Sequence, residues 1–193
     1  MHSNRFVVFA IRPVQLGMVV MFCLYSATTS AGWININTPG ANAMLYIGIG
    51  VATTDATQTV TFAPATIQVG TPVTGAPTIQ IEYYVQRASS TNITGTLKAN
   101  AANLTSGANS INISDISWTS AAITGAGPGA PPGGTVMIPS GSFVVGSQNL
   151  HSLTTTTGTA VSAGAIFTFV FTPSQNYPAG TYTGTVNYTV TVL

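Results

Sequence analysis

From residue 32 onward the chain alternates apolar and polar positions, with turn residues at short intervals. A period of two is that of a strand with one buried face. No stretch of useful length after residue 31 repeats at the helical period of 3.6. In TIQIEYYVQ, Ile79, Ile81, Tyr83 and Val85 share one parity; Thr78, Gln80, Glu82 and Gln86 share the other. In AMLYIGIGV, Leu45, Ile47, Ile49 and Val51 lie on one face, with Gly48 and Gly50 on the other. GWININTPG is a short strand ended by Pro39-Gly40. Val60 with Phe62, Ile67 with Val69, and Ile93 with Leu97 and Ala99 mark further strands. So do Val136 with Ile138, and Phe143 with Val145. AIFTFVFTP sets Phe167, Phe169 and Phe171 on one face while Ile166 and Val170 make the other apolar too, the pattern of a central strand.

The interruptions are as informative as the alternation. Ile111 and Ile113 are followed by Ile116 and Trp118, so the apolar parity switches at Asp115. One extra residue there predicts a β-bulge or a bend between sheets. GAGPGAPPGG, residues 125–134, cannot form a strand interior and is a loop. Thr154 to Thr157 with Gly158 form another loop or an edge. About eight to ten short strands with close turn spacing predict an all-β fold, an antiparallel immunoglobulin-like β-sandwich occupying residues 32–193 as one domain.

The first 31 residues read differently. Arg5 and Arg12 precede an apolar run from Val14 to Tyr25, and Thr29-Ser30-Ala31 fits a small-x-small cleavage site. This is the pattern of a secretory signal peptide over residues 1–31. Arg12 and Pro13 cut the apolar run below the roughly 20 residues that a membrane span needs. Beyond it remain two cations, Arg87 and Lys98, against Asp55, Glu82 and Asp115, a net charge of −1, and no cysteine. Only 4% of the whole chain is charged, against roughly 25% in an average soluble protein. A surface of hydroxyls and amides lacks the basic footprint that nucleic acid requires, so a nucleic-acid partner is not expected.

The same scarcity of titratable groups argues against an enzyme. His151 is the single histidine after residue 31, in NLHSL, and no nucleophile-elbow motif accompanies it. It reads as a solvated loop residue. Without cysteines, paired histidines or an Asp/Asn-rich loop, no metal site is expected. The glycines of residues 125–134 lack the lysine of a phosphate loop, so no cofactor is expected. Lys98 and Glu82 both fall on polar faces and read as two solvated charges, with a lysine–asparagine cross-link as the sharper alternative. Four N-x-Ser/Thr sequons, at Asn92, Asn103, Asn112 and Asn187, are about what the Asn, Ser and Thr content produces by chance.

The most specific feature is the ending, YPAGTYTGTVNYTVTVL. Tyr182, Gly184, Val186, Tyr188, Val190 and Val192 hold one parity; Thr181, Thr183, Thr185, Asn187, Thr189 and Thr191 hold the other. Over Phe167 to Leu193 the chain resembles secreted fimbrial subunits of the chaperone–usher type and spore-coat-U-like proteins, in which an AGTY-type turn enters an alternating last strand. Neither a cysteine pair near the start nor a penultimate aromatic, both familiar in such pilins, is present; Val192 stands at the latter position. The resemblance implies a structural subunit of a surface fimbria or coat, exported through the periplasm and supporting adhesion. It implies partners: other copies or related subunits, a periplasmic chaperone and an outer-membrane usher. Tyr182, Val186, Tyr188, Val190 and Val192 would then border a groove that a donor strand fills by β-strand addition. Leu45, Ile47, Ile49 and Val51 are the candidate donor strand, or else the first core strand. A weaker similarity of ANLTSGANSINISDISW and AGTYTGTVNYTV to cell-wall-binding WxL domains, without the Trp-x-Leu motif itself, keeps open the alternative of a monomeric module that binds cell wall or glycan.

Overall fold

The computed structural model describes residues 5–14, 17–21, 34–37, 43–50, 58–64, 67–87, 92–123, 135–155 and 160–192. In chain order the strands are β1 (Arg5–Val14), β2 (Gly17–Met21), β3 (Ile34–Asn37), β4 (Ala43–Gly50), β5 (Thr59–Phe62), β6 (Val73–Ala76), β7 (Ile79–Arg87) and β8 (Thr94–Ala101). They continue as β9 (Leu104–Ser106), β10 (Asn109–Ile111), β11 (Ile116–Ala121), β12 (Thr135–Met137), β13 (Gly141–Ser142), β14 (Gly146–Thr154), β15 (Ala160–Phe171) and β16 (Thr183–Val192). A single 3₁₀ turn, Ile113–Asp115, is the one helical element among the described residues. The fold is therefore all-β. It has more strands than the eight to ten expected, because β9, β10, β12 and β13 are only two or three residues long and β1 and β2 lie before residue 32.

Two layers share one core. In the first, β14, β8, β16 and β1 lie side by side, β9 prolongs the β8 side of β16, and β10 folds back on β9. In the second the order is β3, β4, β7, β15, β11 and β13. β15 is central, as its two apolar faces predict: β7 and β6 pair on one side, β11 and β12 on the other. Among the named strands pairing is antiparallel except β1 with β5 and β12 with β15, and an isolated parallel bridge joins Ala101 to Val145. β2 and β5 link the layers at one margin.

The buried faces follow the alternation. Ile79, Ile81, Tyr83 and Val85 of β7 and Phe167, Phe169 and Phe171 of β15 are fully buried. They meet Leu97 and Ala99 of β8 and Val186, Tyr188 and Val190 of β16 in one cluster. Trp118 stacks on Phe167 with centroids 5.4 Å apart and tilts against Phe143 at 4.8 Å, while its indole N–H donates to the Pro139 carbonyl at 2.9 Å. Such ring pairs add about 0.5–1.5 kcal/mol each beyond their buried area. The parity switch at Asp115 is the 3₁₀ turn, which carries the chain from β10 in the first layer to β11 in the second.

Four expectations change. Phe143 and Val145 do not form a strand of their own: β13 ends at Ser142 and β14 starts at Gly146, with Phe143 buried in the core and Val145 exposed. Ile67 and Val69 do not form a strand; a turn closes there, with Gly70 at φ +75° and its N–H bonded to the Pro173 carbonyl at 2.8 Å. Glu82 is not solvated but 1% exposed, because the outer face of β7 is covered as well: Tyr84 and Ser162 beside it are also buried. His151 belongs to β14 rather than a loop. Residues 125–134, Val51 and Thr156 to Gly158 lie outside the described residues.

Candidate functional site

The last strand is held in place from its lead-in onward. Asp115 Oδ2 accepts three hydrogen bonds, from Ser174 N at 2.9 Å, Ser174 Oγ at 3.0 Å and Tyr177 Oη at 2.6 Å. The Asp115 carbonyl also accepts from Thr172 N at 2.8 Å. The crossover between layers thereby anchors residues 172–177. Tyr182, fully buried at the strand's entry, donates its hydroxyl to the Pro178 carbonyl at 2.7 Å. A Cβ on Gly184 would lie 2.9 Å from Leu104 Cγ, so only glycine lets β9 approach this closely.

Along β16 the two parities separate as the sequence predicts. Tyr182, Val186, Tyr188 and Val190 are buried, while Thr183 is exposed and Thr185, Asn187, Thr189 and Thr191 are half-buried. Val192 closes the ladder opposite Gly95. One edge, Val186 to Val192, pairs with Gly95 to Ala101 of β8. The other edge, Thr183 to Tyr188, pairs with Ala10 to Arg5 of β1, with Val7 opposite Val186 and Phe9 opposite Gly184. On that second edge, Thr189 to Val192 have no strand partner among the described residues. Leu45, Ile47 and Ile49 lie elsewhere: in β4 they stand opposite Val85, Tyr83 and Ile81 of the same chain.

A second cluster joins the layers. Tyr83 Oη and His151 Nδ1 are 2.8 Å apart. Burial raises the Tyr83 pKa and lowers that of His151, so the phenol donates and the neutral imidazole accepts. A bulge brings His151 there. Asn149 pairs with Lys98 and His151 with Leu97, leaving Leu150 as the extra residue. Before it, odd-numbered positions face out; after it, His151, Leu153 and Thr155 turn inward. Sequence reasoning missed this, although the three-residue spacing of Leu150 and Leu153 was its signal.

Glu82 stands between Gly48 and Gly164 on its two neighbouring strands. A Cβ on Gly164 would lie 3.0 Å from Glu82 Cγ and 2.6 Å from Ile123 Cδ1, so the glycine makes room for the acid. Neither carboxyl oxygen has a hydrogen-bond partner among the described residues. Burial raises its pKa, and the Gln80 side chain opposes the shift without reaching hydrogen-bond geometry. Lys98 is on the outer face of the other layer, opposite Asn149 and Thr189, so a lysine and an asparagine are adjacent but the carboxylate of Glu82, in β7, is not beside them. Among the described residues no three His, Cys, Asp or Glu side chains are grouped to hold a metal, and no helix is long and apolar enough to cross a membrane. No family model, curated protein or solved structure matches the chain.

Proposed function

We propose that residues 32–193 form an exported structural subunit of a bacterial surface fimbria or coat, joined to neighbouring copies by strand addition along β16 and supporting surface attachment. The observation that carries this reading is the occupant of the Thr183–Tyr188 edge. It is paired by residues 5–10, within the very segment whose sequence reads as an export signal. Removing residues 1–31 leaves a regular edge with its main-chain donors and acceptors unpaired, and such an edge recruits another strand. The low charge suits close lateral packing. A periplasmic chaperone would protect the edge before assembly, and an outer-membrane usher would order the exchange.

The immunoglobulin-like sandwich belongs to the same proposal. Its support is the two layers facing one core, the Asp115 crossover between them, and Tyr182. The bond from Tyr182 to a carbonyl four residues upstream resembles the tyrosine corner of Greek-key sandwiches. The donor from the next copy would be its Ile34–Asn37 segment, which among the described residues pairs with β4 alone. β4 itself lies between β3 and β7 and is less free to leave.

The test is to sequence the N-terminus of the exported protein and then purify a chain beginning at Gly32. That chain should be polymeric or unstable alone. A peptide of Arg5–Val14 should restore a cooperative monomer by refilling the edge. A Gly32 chain that melts cooperatively as a monomer and is indifferent to the peptide would rule strand addition out.

A further inference from the structure

A polar groove lies on the outer face of the first layer, where β8 passes into β9 alongside β16. Its cause is a second bulge. Val186 pairs with Ala101 and Thr183 with Thr105, so three steps along β16 oppose four steps along the neighbouring strands. The surplus residue pushes Ala102 and Asn103 out of the ladder and opens a cavity of about 470 Å³. That volume falls within the range of small-molecule sites, roughly 300–1,000 Å³. The bulge is held open rather than collapsed: Asn103 Oδ1 accepts a hydrogen bond from Ile113 N at 3.0 Å, tying it to the 3₁₀ turn.

The lining has one chemistry. Asn100, Asn103 and Asn187 supply amides; Thr105, Thr183 and Thr185 supply hydroxyls; none carries a charge. Asn100 and Asn187 stand directly opposite one another across the ladder. Asn187 Oδ1 is covered and has no hydrogen-bond partner among the described residues. A buried acceptor without a donor costs about 1–3 kcal/mol.

We infer that this groove binds a neutral carbohydrate. An asparagine amide presents a donor and an acceptor side by side, which matches two neighbouring hydroxyls of a sugar ring. Three amides and three hydroxyls around one concavity repeat that match. Among the described residues the lining holds no cation, which disfavours phosphorylated, sulfated or carboxylated ligands. Nor does it hold an aromatic ring among the described residues, so hydrogen bonds set the affinity, and a Kd on the order of 1 mM for a short oligosaccharide is expected. All six polar residues come from β8, the bulge, β9 and β16. β1 flanks β16 along the same stretch, with Phe6, Val8 and Ala10 opposite Asn187, Thr185 and Thr183, so the groove is that of the chain with residues 5–10 in place.

Saturation-transfer NMR on the full chain tests this, with maltotriose, cellotriose and N,N′,N″-triacetylchitotriose as probes, and with a sialylated and a sulfated trisaccharide and a Thr/Asn-rich peptide as controls. At least one neutral trisaccharide should give saturable binding. Asn100→Ala and Asn187→Ala should each weaken it at least tenfold, while Asn149→Ala, on the same outer face outside the groove, should leave it unchanged. Thermal melts of all variants separate lost binding from lost folding. Where Asn187→Ala lowers the melting temperature, Asn100→Ala, at an exposed position, decides. The inference is overturned if none of the three neutral sugars binds. It is equally overturned if only the acidic sugars or the peptide bind, or if binding survives both groove substitutions.

Discussion

Asp115 is the residue whose removal should cost the fold most for the least lost volume. One of its oxygens takes three donors, and its backbone sits in the turn that passes the chain between layers. A hydrogen bond to a charged acceptor contributes about 1.5–3 kcal/mol net. Ser174 is exposed and Tyr177 partly so, and water takes over part of what they lose. Asp115→Ala should therefore cost about 3 kcal/mol, and Tyr177→Phe about 1 kcal/mol, since it removes one donor. For a domain of this size each kcal/mol lowers Tm by about 2–4 °C, so Asp115→Ala should melt roughly 6–12 °C below the parent. Calorimetry on the parent, both single variants and the double variant gives a cycle. The two substitutions share one bond, so the double variant should fall short of the sum of the singles by about the Tyr177→Phe cost. If Asp115→Ala melts within 2 °C of the parent, or the two effects simply add, the carboxylate is not the anchor of the strand's lead-in.

Further outcomes follow from buried groups. The Glu82 pKa is raised in the fold above 4.5 by burial, so its contribution is fully present below pH 4.5 and is lost as pH rises through the folded value; Glu82→Gln should raise Tm at pH 7 and flatten the decline above pH 4.5, and an unchanged pH profile would contradict it. His151 has the opposite sign. Its folded pKa lies below 6.5, so stability is full above pH 6.5 and falls as pH drops towards the folded value, a loss that His151→Gln should abolish in a pH series of melts. A Cβ on Gly95 would lie 2.2 Å from Val85 Cγ2 in the opposite layer. Gly95→Ala should cost about 1–3 kcal/mol in denaturant melts, and adding Val85→Ala should relieve part of it; additive costs would mean that the layers do not meet there.

Much of this architecture is legible in alternation, and the failures share one physical cause. Strand parity assigns each side chain to a face, and Ile79 through Val85, Phe167 through Phe171 and Tyr182 through Val190 all fall as parity predicts. Parity says nothing about what covers the second face, which is why Glu82 read as solvated. Nor does it survive an inserted residue. Outside β7, both of whose faces are buried, three pairs of buried apolar residues stand three apart: Ala101 and Leu104, Ile113 and Ile116, Leu150 and Leu153. In an uninterrupted strand, residues on one face stand two or four apart, so each such spacing marks a place where the ladder slips. The middle one is visible because strong isoleucine pairs flank it. The other two are surrounded by Asn, Ser and Thr, which tolerate either face, and they are the two that shape the polar groove and place His151. Residues 5–14 show a further ambiguity. An apolar, β-branched run satisfies both an export signal and a strand, and periodicity alone does not separate them.

That ambiguity has a thermodynamic consequence under the strand-addition reading. Among the described residues β1 pairs with six residues of β16, Thr183 to Tyr188, the ladder beginning at Arg5, whereas β8 pairs with seven on the opposite side, Val186 to Val192. Each backbone hydrogen bond of such a ladder contributes about 0.5–1.5 kcal/mol net, so an incoming strand has to remake these pairs in order to displace β1. Opposite β16, the inward positions face Gly184, Val186, Tyr188 and Val190, so a donor needs apolar residues at every second position and tolerates a small or large one opposite Gly184. Ile34-Asn35-Ile36-Asn37 supplies two such positions two residues apart, with asparagines between them that match the Thr/Asn outer face. The edge therefore favours a donor that keeps this alternation over all six positions from Thr183 to Tyr188. Exchange onto β16 would turn on how many of the six β1 pairs an incoming strand remakes, and Ile34–Asn37 by itself offers four positions.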